Sequence, residues 1–242
     1  MNDRRISVTN SLIIINAVVF IAGLAAQQPA VLGIMYPGGQ PTSVFEVLGA
    51  YSWFSCFMQG ELWRLISYQF VHANFGHLLF NMWALYFFGP AVEAAMGPRR
   101  YLAFYLACGI SGALFSSLLS ALGFYTPSND MLVAVNMLAH FAGYSGMVEV
   151  WQMIPLIGAS ASLYGVIIAT AFMYPDARIS LLFPPITLKL RTFALWVVGI
   201  ASFVILFNLN NAGGEAGHLG GVIMGALIMS IWKMRNRNRL PW

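Results

Sequence analysis

Six apolar runs separated by short polar or basic breaks dominate the chain, at about residues 10–27, 76–96, 101–123, 157–174, 190–209 and 215–233. Each comes close to the roughly 20 residues that a helix needs to cross the hydrocarbon core of a bilayer. The fold this predicts is an all-α polytopic membrane protein with six transmembrane helices, forming one domain over residues 1–242. Six spans return both termini to the same side.

Two of the connections are long. Residues 28–75 combine Pro and Gly turns with "VFEVLGAYSWFSCFMQGELWRLISYQF", which is too polar to cross a bilayer and too aromatic for a solvated linker, so it predicts short helices lying in the interface. Residues 124–156 contain "SNDMLVAVNMLAHFAGYSGM", which predicts a partly submerged helix and loop. Both connections fall on the external side, and long ordered loops gathered on one face usually serve function.

Charge patterning orients the bundle. Arg4 and Arg5, Arg99 and Arg100, Arg178, Lys189 and Arg191, and Lys233, Arg235, Arg237 and Arg239 all fall on one side of the six-span arrangement, leaving Arg64 alone on the other. The positive-inside rule makes the crowded side cytoplasmic. The expectation is a multi-pass protein of the cell membrane, of the compact kind found in bacterial inner membranes, with both termini in the cytoplasm. The basic start, the first apolar run and "GLAAQ" also have the outline of a cleaved signal peptide, but the length of the run and the lack of a clean cleavage motif favour an anchor.

Composition agrees. The chain is 59% hydrophobic and 8% charged, against roughly 25% charged for an average soluble domain. Its formal charge of +4 sits at the ends of apolar runs and forms no patch, which argues for membrane topology and against a nucleic-acid partner. Cys56 and Cys108 lack any paired or metal-type spacing. No internal repeat supports a transporter built on inverted halves.

Polar residues at membrane depth mark function by default. Three groups qualify: His77 with Asn81, Ser160 with Ser162, and His218. His77 and Asn81 are four apart in "FGHLLFNMW" and share a helix face near the external start of the second span. In "GGEAGHLGGVIMGAL", Gly217, Gly221 and Gly225 recur every four residues and form a bare strip that lets a neighbouring backbone approach closely. His218 lies beside that strip at the same depth as Ser160 in "IGASASLYG". Contact between these two helices would bring an imidazole to a hydroxyl.

That grouping suits acyl transfer. A serine hydroxyl is a weak nucleophile that needs a base in hydrogen-bond reach, which neutral His218 supplies. His77, Asn81 and the Ser160 N–H at a helix start can donate to a developing oxyanion. Tyr164, one turn beyond Ser160, is placed to pack on the His218 ring. Ser162 is turned about 200° from Ser160 around a helix of 3.6 residues per turn, so Ser160 is the predicted nucleophile and Ser162 a packing residue. Asp3, Asp130 and Asp176 fall at span edges or in tails and Glu93 near the cytoplasmic end. The expected arrangement is therefore a Ser160–His218 pair with no carboxylate behind the histidine.

These residues resemble the rhomboid family of intramembrane serine proteases. The resemblance runs from about residue 60 to 226 through "ELWR", "HLLFN", "VEAAMG", "GASASLYG" and "GHLGGVIMG" in that order. It implies six helices around a water-filled cavity open to the external side, with the serine at its floor. The implied substrate is a membrane-spanning helix of another protein, cut near its external end. By resemblance Ser160 matches the nucleophile, His218 the base, His77 and Asn81 the oxyanion donors, and Tyr164 the residue stacked on the base. Glu61, Trp63, Arg64 and Glu93 match positions read as structural. Two positions depart from the family pattern. Ala161 follows the serine where the family usually has Gly, and would crowd the sixth helix or the oxyanion pocket; Gly217 precedes the histidine where Ala is common, and would leave compensating room.

Other chemistries lack their residues. There is no His-Glu-x-x-His for zinc and no pair of intramembrane aspartates. No metal or cofactor is expected, and His72 and His140 read as interfacial residues without a role. The alternative within the same fold is a non-catalytic rhomboid-like protein that binds membrane helices, which would be expected to lack the Ser160–His218 pair. Partners in either case are transmembrane proteins and lipid.

Overall fold

The computed structural model describes residues 6–28, 42–126, 150–181 and 185–235. It is mostly helical, with α1 Val8–Ala25, α2 Val44–Gly49, α3 Arg64–Ser67, α4 Phe75–Met96, α5 Pro98–Ala121, α6 Ser160–Met173, α7 Leu190–Leu206 and α8 Ala212–Arg235. Each of the six apolar runs carries one of the long helices. Their ends follow local chemistry. Ser7 caps α1 by accepting from the Asn10 N–H at 3.1 Å, and Asn74 caps α4 by accepting from the His77 N–H at 2.9 Å. Gly97, at φ +79°, ends α4, and Pro98 opens α5.

By length and composition, α1, α4, α5 and α8 are the four described helices able to cross a membrane. The other two are shorter. Helix α6 has 14 residues, a rise of about 21 Å, and α7 has 17. Eleven residues of α6 are buried, because it runs through the middle of the bundle and packs on α4, α5, α7 and α8. Protein surrounds it, so its length need not match the bilayer. The expected fourth span begins at residue 157, yet the helix begins at Ser160, since Gly158 sits at φ +115° where helical geometry is impossible.

Short helical pieces fill residues 44–70 as the amphipathic pattern predicts: α2, a π-helical turn at Phe54–Met58, α3, and a 3₁₀ turn at Tyr68–Phe70. Buried Arg64 ties them together. Its guanidinium donates to the carbonyls of Val47 at 2.8 Å and Ala50 at 2.6 Å and pairs with Glu61, while the Trp63 indole donates to the Leu48 carbonyl at 3.1 Å. Glu93 joins α4 to α1 by accepting from the Val8 and Thr9 N–H groups and the Thr9 hydroxyl, at 2.7, 2.9 and 2.7 Å. The partly submerged helix expected within 124–156 falls largely on residues outside the described ones, as do Asp3, Arg4, Arg5, Asp130, His140, Arg237 and Arg239.

The all-α expectation needs one correction. Gln27–Gln28 pairs with Thr42–Ser43, and Arg178–Ser180 pairs with Thr187–Lys189, both antiparallel. Strands of two or three residues are too short for a period-two pattern to announce them.

Glycines set the helix spacing around α6. A Cβ on Gly221 would collide with the Ala161 carbonyl, and one on Gly225 would lie 2.8 Å from the Gly165 Cα. Gly220 faces α5 instead, where a Cβ would lie 2.6 Å from the Ser111 carbonyl oxygen. Gly217, expected to continue the bare strip, is the exception: a Cβ there meets nothing closer than 3.8 Å. Gly221→Ala should therefore lower stability by about 1–3 kcal/mol through overpacking, whereas Gly217→Ala should be neutral or raise it by up to about 1 kcal/mol. Thermal melts of the two variants in detergent check the contrast.

Candidate active site

Ser160 is the first residue of α6, and the turn at Gly158 delivers the chain to it. That lead-in is strapped from outside. Tyr51 and Leu156 exchange backbone hydrogen bonds at 3.0 and 2.8 Å, and the Gly158 N–H donates to the Tyr68 carbonyl at 2.9 Å. The Tyr68 hydroxyl in turn donates to the Gly109 carbonyl at 2.6 Å. Being at a helix start, Ser160 has a backbone N–H that lacks an acceptor within its own helix.

His218 lies in the second turn of α8, and the close packing of Gly221 and Gly225 on α6 carries it to the serine. Its Nε2 is 2.7 Å from Ser160 Oγ. The Tyr164 ring stacks on the imidazole with centroids 4.0 Å apart and planes 18° apart. The predicted trio of Ser160, Tyr164 and His218 is thus assembled from two helices.

His77 and Asn81 face the same place from α4. A Cβ on Gly158 would lie 2.7 Å from the His77 ring and 3.6 Å from Asn81 Nδ2, so both side chains border the segment just before the serine. Asn81 Nδ2 is buried and has no hydrogen-bond partner among the described residues. A buried amide that donates to nothing is costly unless an acceptor arrives. Beside this group, a cavity of about 510 Å³ is lined by His77, Leu156, Ile157, Tyr125, Asn211 and Gly213 among others.

Ser162 points elsewhere. It is fully buried and its hydroxyl donates to Gln69 Oε1 at 2.9 Å. It does more than pack, since Gln69 occupies the space left by Gly109, where a Cβ would collide with it.

Three expectations change. First, a carboxylate does stand behind the histidine: Glu215 Oε2 lies 2.8 Å from His218 Nδ1, and the two side chains are only 15% and 12% exposed. The signal was the spacing Glu215-x-x-His218, which puts both side chains on one face of a helix. Second, Ala161 is accommodated by a different residue from the one expected. A Cβ on Gly112 of α5 would lie 2.5 Å from the Ala161 methyl, so Gly112, and not Gly217, makes the room. Third, His72, read as a residue without a role, is buried, its ring 4.9 Å from that of His77 in an edge-on contact. Among the described residues no group of three or more His, Cys, Asp or Glu is gathered as for a metal.

A family model for the rhomboid domain matches residues 59–235. The chain is similar to the rhomboid protease AarA of Providencia stuartii, 28% identical over 173 residues that span 71% of this chain and 56% of that protein. It is 28% identical over 172 residues to RHOMBOID-like protein 12, mitochondrial, of Arabidopsis thaliana, spanning 71% of this chain and 46% of the relative. A third relative, the Inactive RHOMBOID-like protein 8 of Arabidopsis thaliana, is 34% identical over 80 residues, or 33% of this chain and 23% of its own. The chain spans about half the length of the first two.

Two outcomes are expected of the surroundings. Ala161→Gly removes one buried methyl and should cost about 1 kcal/mol, whereas Gly112→Ala forces two methyl groups into one space and should destabilise the fold by more; melting curves distinguish them. Burial, with His77 adding to it, pushes the His72 imidazole from 6.5 down to about 3. The unfolded chain then takes up a proton that the folded chain refuses, so this residue contributes a loss of stability as pH falls from 6.5 toward 3. His72→Leu should make the melting temperature less sensitive to pH across that window.

Proposed function

The chain belongs to the rhomboid family, and from that premise we propose that it is an intramembrane serine endopeptidase that cuts membrane-spanning helices of other proteins near the external face. The observation that carries the reading is the 2.7 Å approach of His218 Nε2 to Ser160 Oγ. A serine serving only to pack a membrane helix bonds to its own backbone one turn back; this one reaches a histidine on another helix.

In this reading Ser160 Oγ attacks the carbonyl carbon of the scissile peptide while its proton passes to His218 Nε2. The carbonyl oxygen becomes an oxyanion that accepts from Asn81 Nδ2 and His77, which border the segment just before the serine, and from the Ser160 N–H. The unpartnered Asn81 amide supports this role. His218 then gives its proton to the departing amine, leaving an acyl-enzyme. Water, activated by the same imidazole, releases the acid and restores the serine. Tyr164 holds the plane of the ring throughout.

The proposed architecture is a single six-span domain over residues 1–242 in a cell membrane, with both termini cytoplasmic. Its support is electrostatic: among the described residues, Arg99, Arg100, Lys233 and Arg235 fall at helix ends opposite those that carry the site, and Arg178, Lys189 and Arg191 lie in the connection from the far end of α6 to the start of α7. The shortness of α6 also supports a site below the membrane surface, reached by water through the neighbouring cavity.

The second reading is a helix-binding protein without activity, favoured by the similarity to a relative named inactive. The two part on labelling by a serine-directed phosphonate in detergent or liposomes. Ser160→Ala should abolish both labelling and cleavage of a reconstituted helical substrate. Ser162→Ala should keep most activity and lose about 1 kcal/mol of stability with its buried hydrogen bond. Failure of every serine to label would sink the protease reading, and labelling that survives in Ser160→Ala but not in Ser162→Ala would reverse the assignment.

A further inference from the structure

The geometry points to Glu215 as a positioning residue for His218, one that selects the tautomer and fixes the in-plane orientation of the ring that Ser160 uses; this rests on the protease reading above. The imidazole is held at both nitrogens, by Ser160 Oγ at Nε2 and by Glu215 Oε2 at Nδ1, at 2.7 and 2.8 Å. An ionised carboxylate only accepts, so the Nδ1 facing it must carry the hydrogen. The lone pair of the neutral ring is then at Nε2, where it can take the serine proton. Without Glu215 nothing in the contact with Ser160 dictates that choice, since a hydroxyl both donates and accepts.

Stacking does not supply this control. Tyr164 fixes the plane of the ring, yet a ring flipped by 180° within the same plane stacks equally well and presents carbon where nitrogen is needed. The bond to Glu215 removes that freedom. Its setting favours the work. Both side chains are largely shielded from water, so the attraction between carboxylate and a developing imidazolium is stronger than at an exposed surface. Glu215 also lies in the first turn of α8, where unpaired N–H groups favour negative charge. Its backbone N–H is engaged by the Asn211 carbonyl, and its side chain turns to the ring instead of capping the helix.

The arrangement is a Ser160–His218–Glu215 relay in which the acid comes from the same helix as the base, three residues before it. The proton inventory is unchanged from that of the pair: the serine proton moves to Nε2 and on to the leaving amine, and the Nδ1 hydrogen stays on the ring beside the carboxylate.

Glu215→Gln, which keeps shape and an accepting oxygen without the charge, and Glu215→Ala, which removes both, test the inference in the full chain. Wild type and Ser160→Ala are run beside them on the same reconstituted helical substrate. Glu215→Ala should lose on the order of 10²-fold in kcat with KM nearly unchanged, Glu215→Gln should fall between it and wild type, and melting curves should be preserved. In ¹⁵N spectra of imidazole-labelled protein, His218 should be the Nδ1–H tautomer in wild type and a mixture in Glu215→Ala. Full kcat in both variants, or an unchanged tautomer, overturns the role of Glu215 while the protease reading stands. If wild type cleaves no better than Ser160→Ala, the protease reading fails instead, and the tautomer spectra still decide whether Glu215 sets the ring. Should Glu215→Ala not fold, the isosteric Glu215→Gln carries the kinetic test.

Discussion

The contact of α8 with α6 is as close as two helical backbones allow. Gly221 rests on the Ala161 peptide and Gly225 on Gly165, and the position of the histidine follows from that approach. Moving the helices apart by the width of a methyl group would open a 2.7 Å hydrogen bond between Ser160 and His218 to a distance at which no proton transfers. In lipid, where apolar surface gains little by meeting other apolar surface, such small-residue contacts are what bring helices together. Here the same contact both holds α8 against α6 and sets His218 within hydrogen-bond reach of Ser160.

Helix α5 completes the clamp from the other side. Gly112 receives the Ala161 methyl, Gly109 receives the Gln69 side chain that binds Ser162, and Ser111 donates to the Gly220 carbonyl at 2.9 Å. Tyr51 and Tyr68, from the loop that Arg64 organises, hold the strand-like lead-in to Ser160. The serine is therefore fixed by elements on both sides in sequence, which is the rigidity a preorganised site requires. The departure at Ala161 has its counterpart on a third helix, not on the histidine helix, so local sequence comparison alone points to the wrong partner.

Much of this was legible beforehand. Six apolar runs, the i to i+4 spacing of His77 and Asn81, the rotation that separates Ser160 from Ser162 and the glycine repeat of α8 are periodic features, and periodicity survives in one dimension. Glu215 is equally readable by its spacing, since it opens the last apolar run three residues before His218 and so shares a helix face with it. The exemption of Gly217 from tight packing, the burial of His72 and the role of Gly112 left no such trace. They depend on which side of a helix happens to meet which neighbour.

The division has a physical basis. Hydropathy, helix period and charge bias belong to the chain, because lipid and the backbone impose them residue by residue; from them come the apolar runs, the long helices and the rotation that parts Ser160 from Ser162. Distances between helices belong to the packed state, because a gap of a few tenths of an ångström is set by side chains far apart in sequence. Only the tertiary structure brought Glu215, His218 and Ser160 into one line of hydrogen bonds, and only it assigned the space for Ala161 to Gly112.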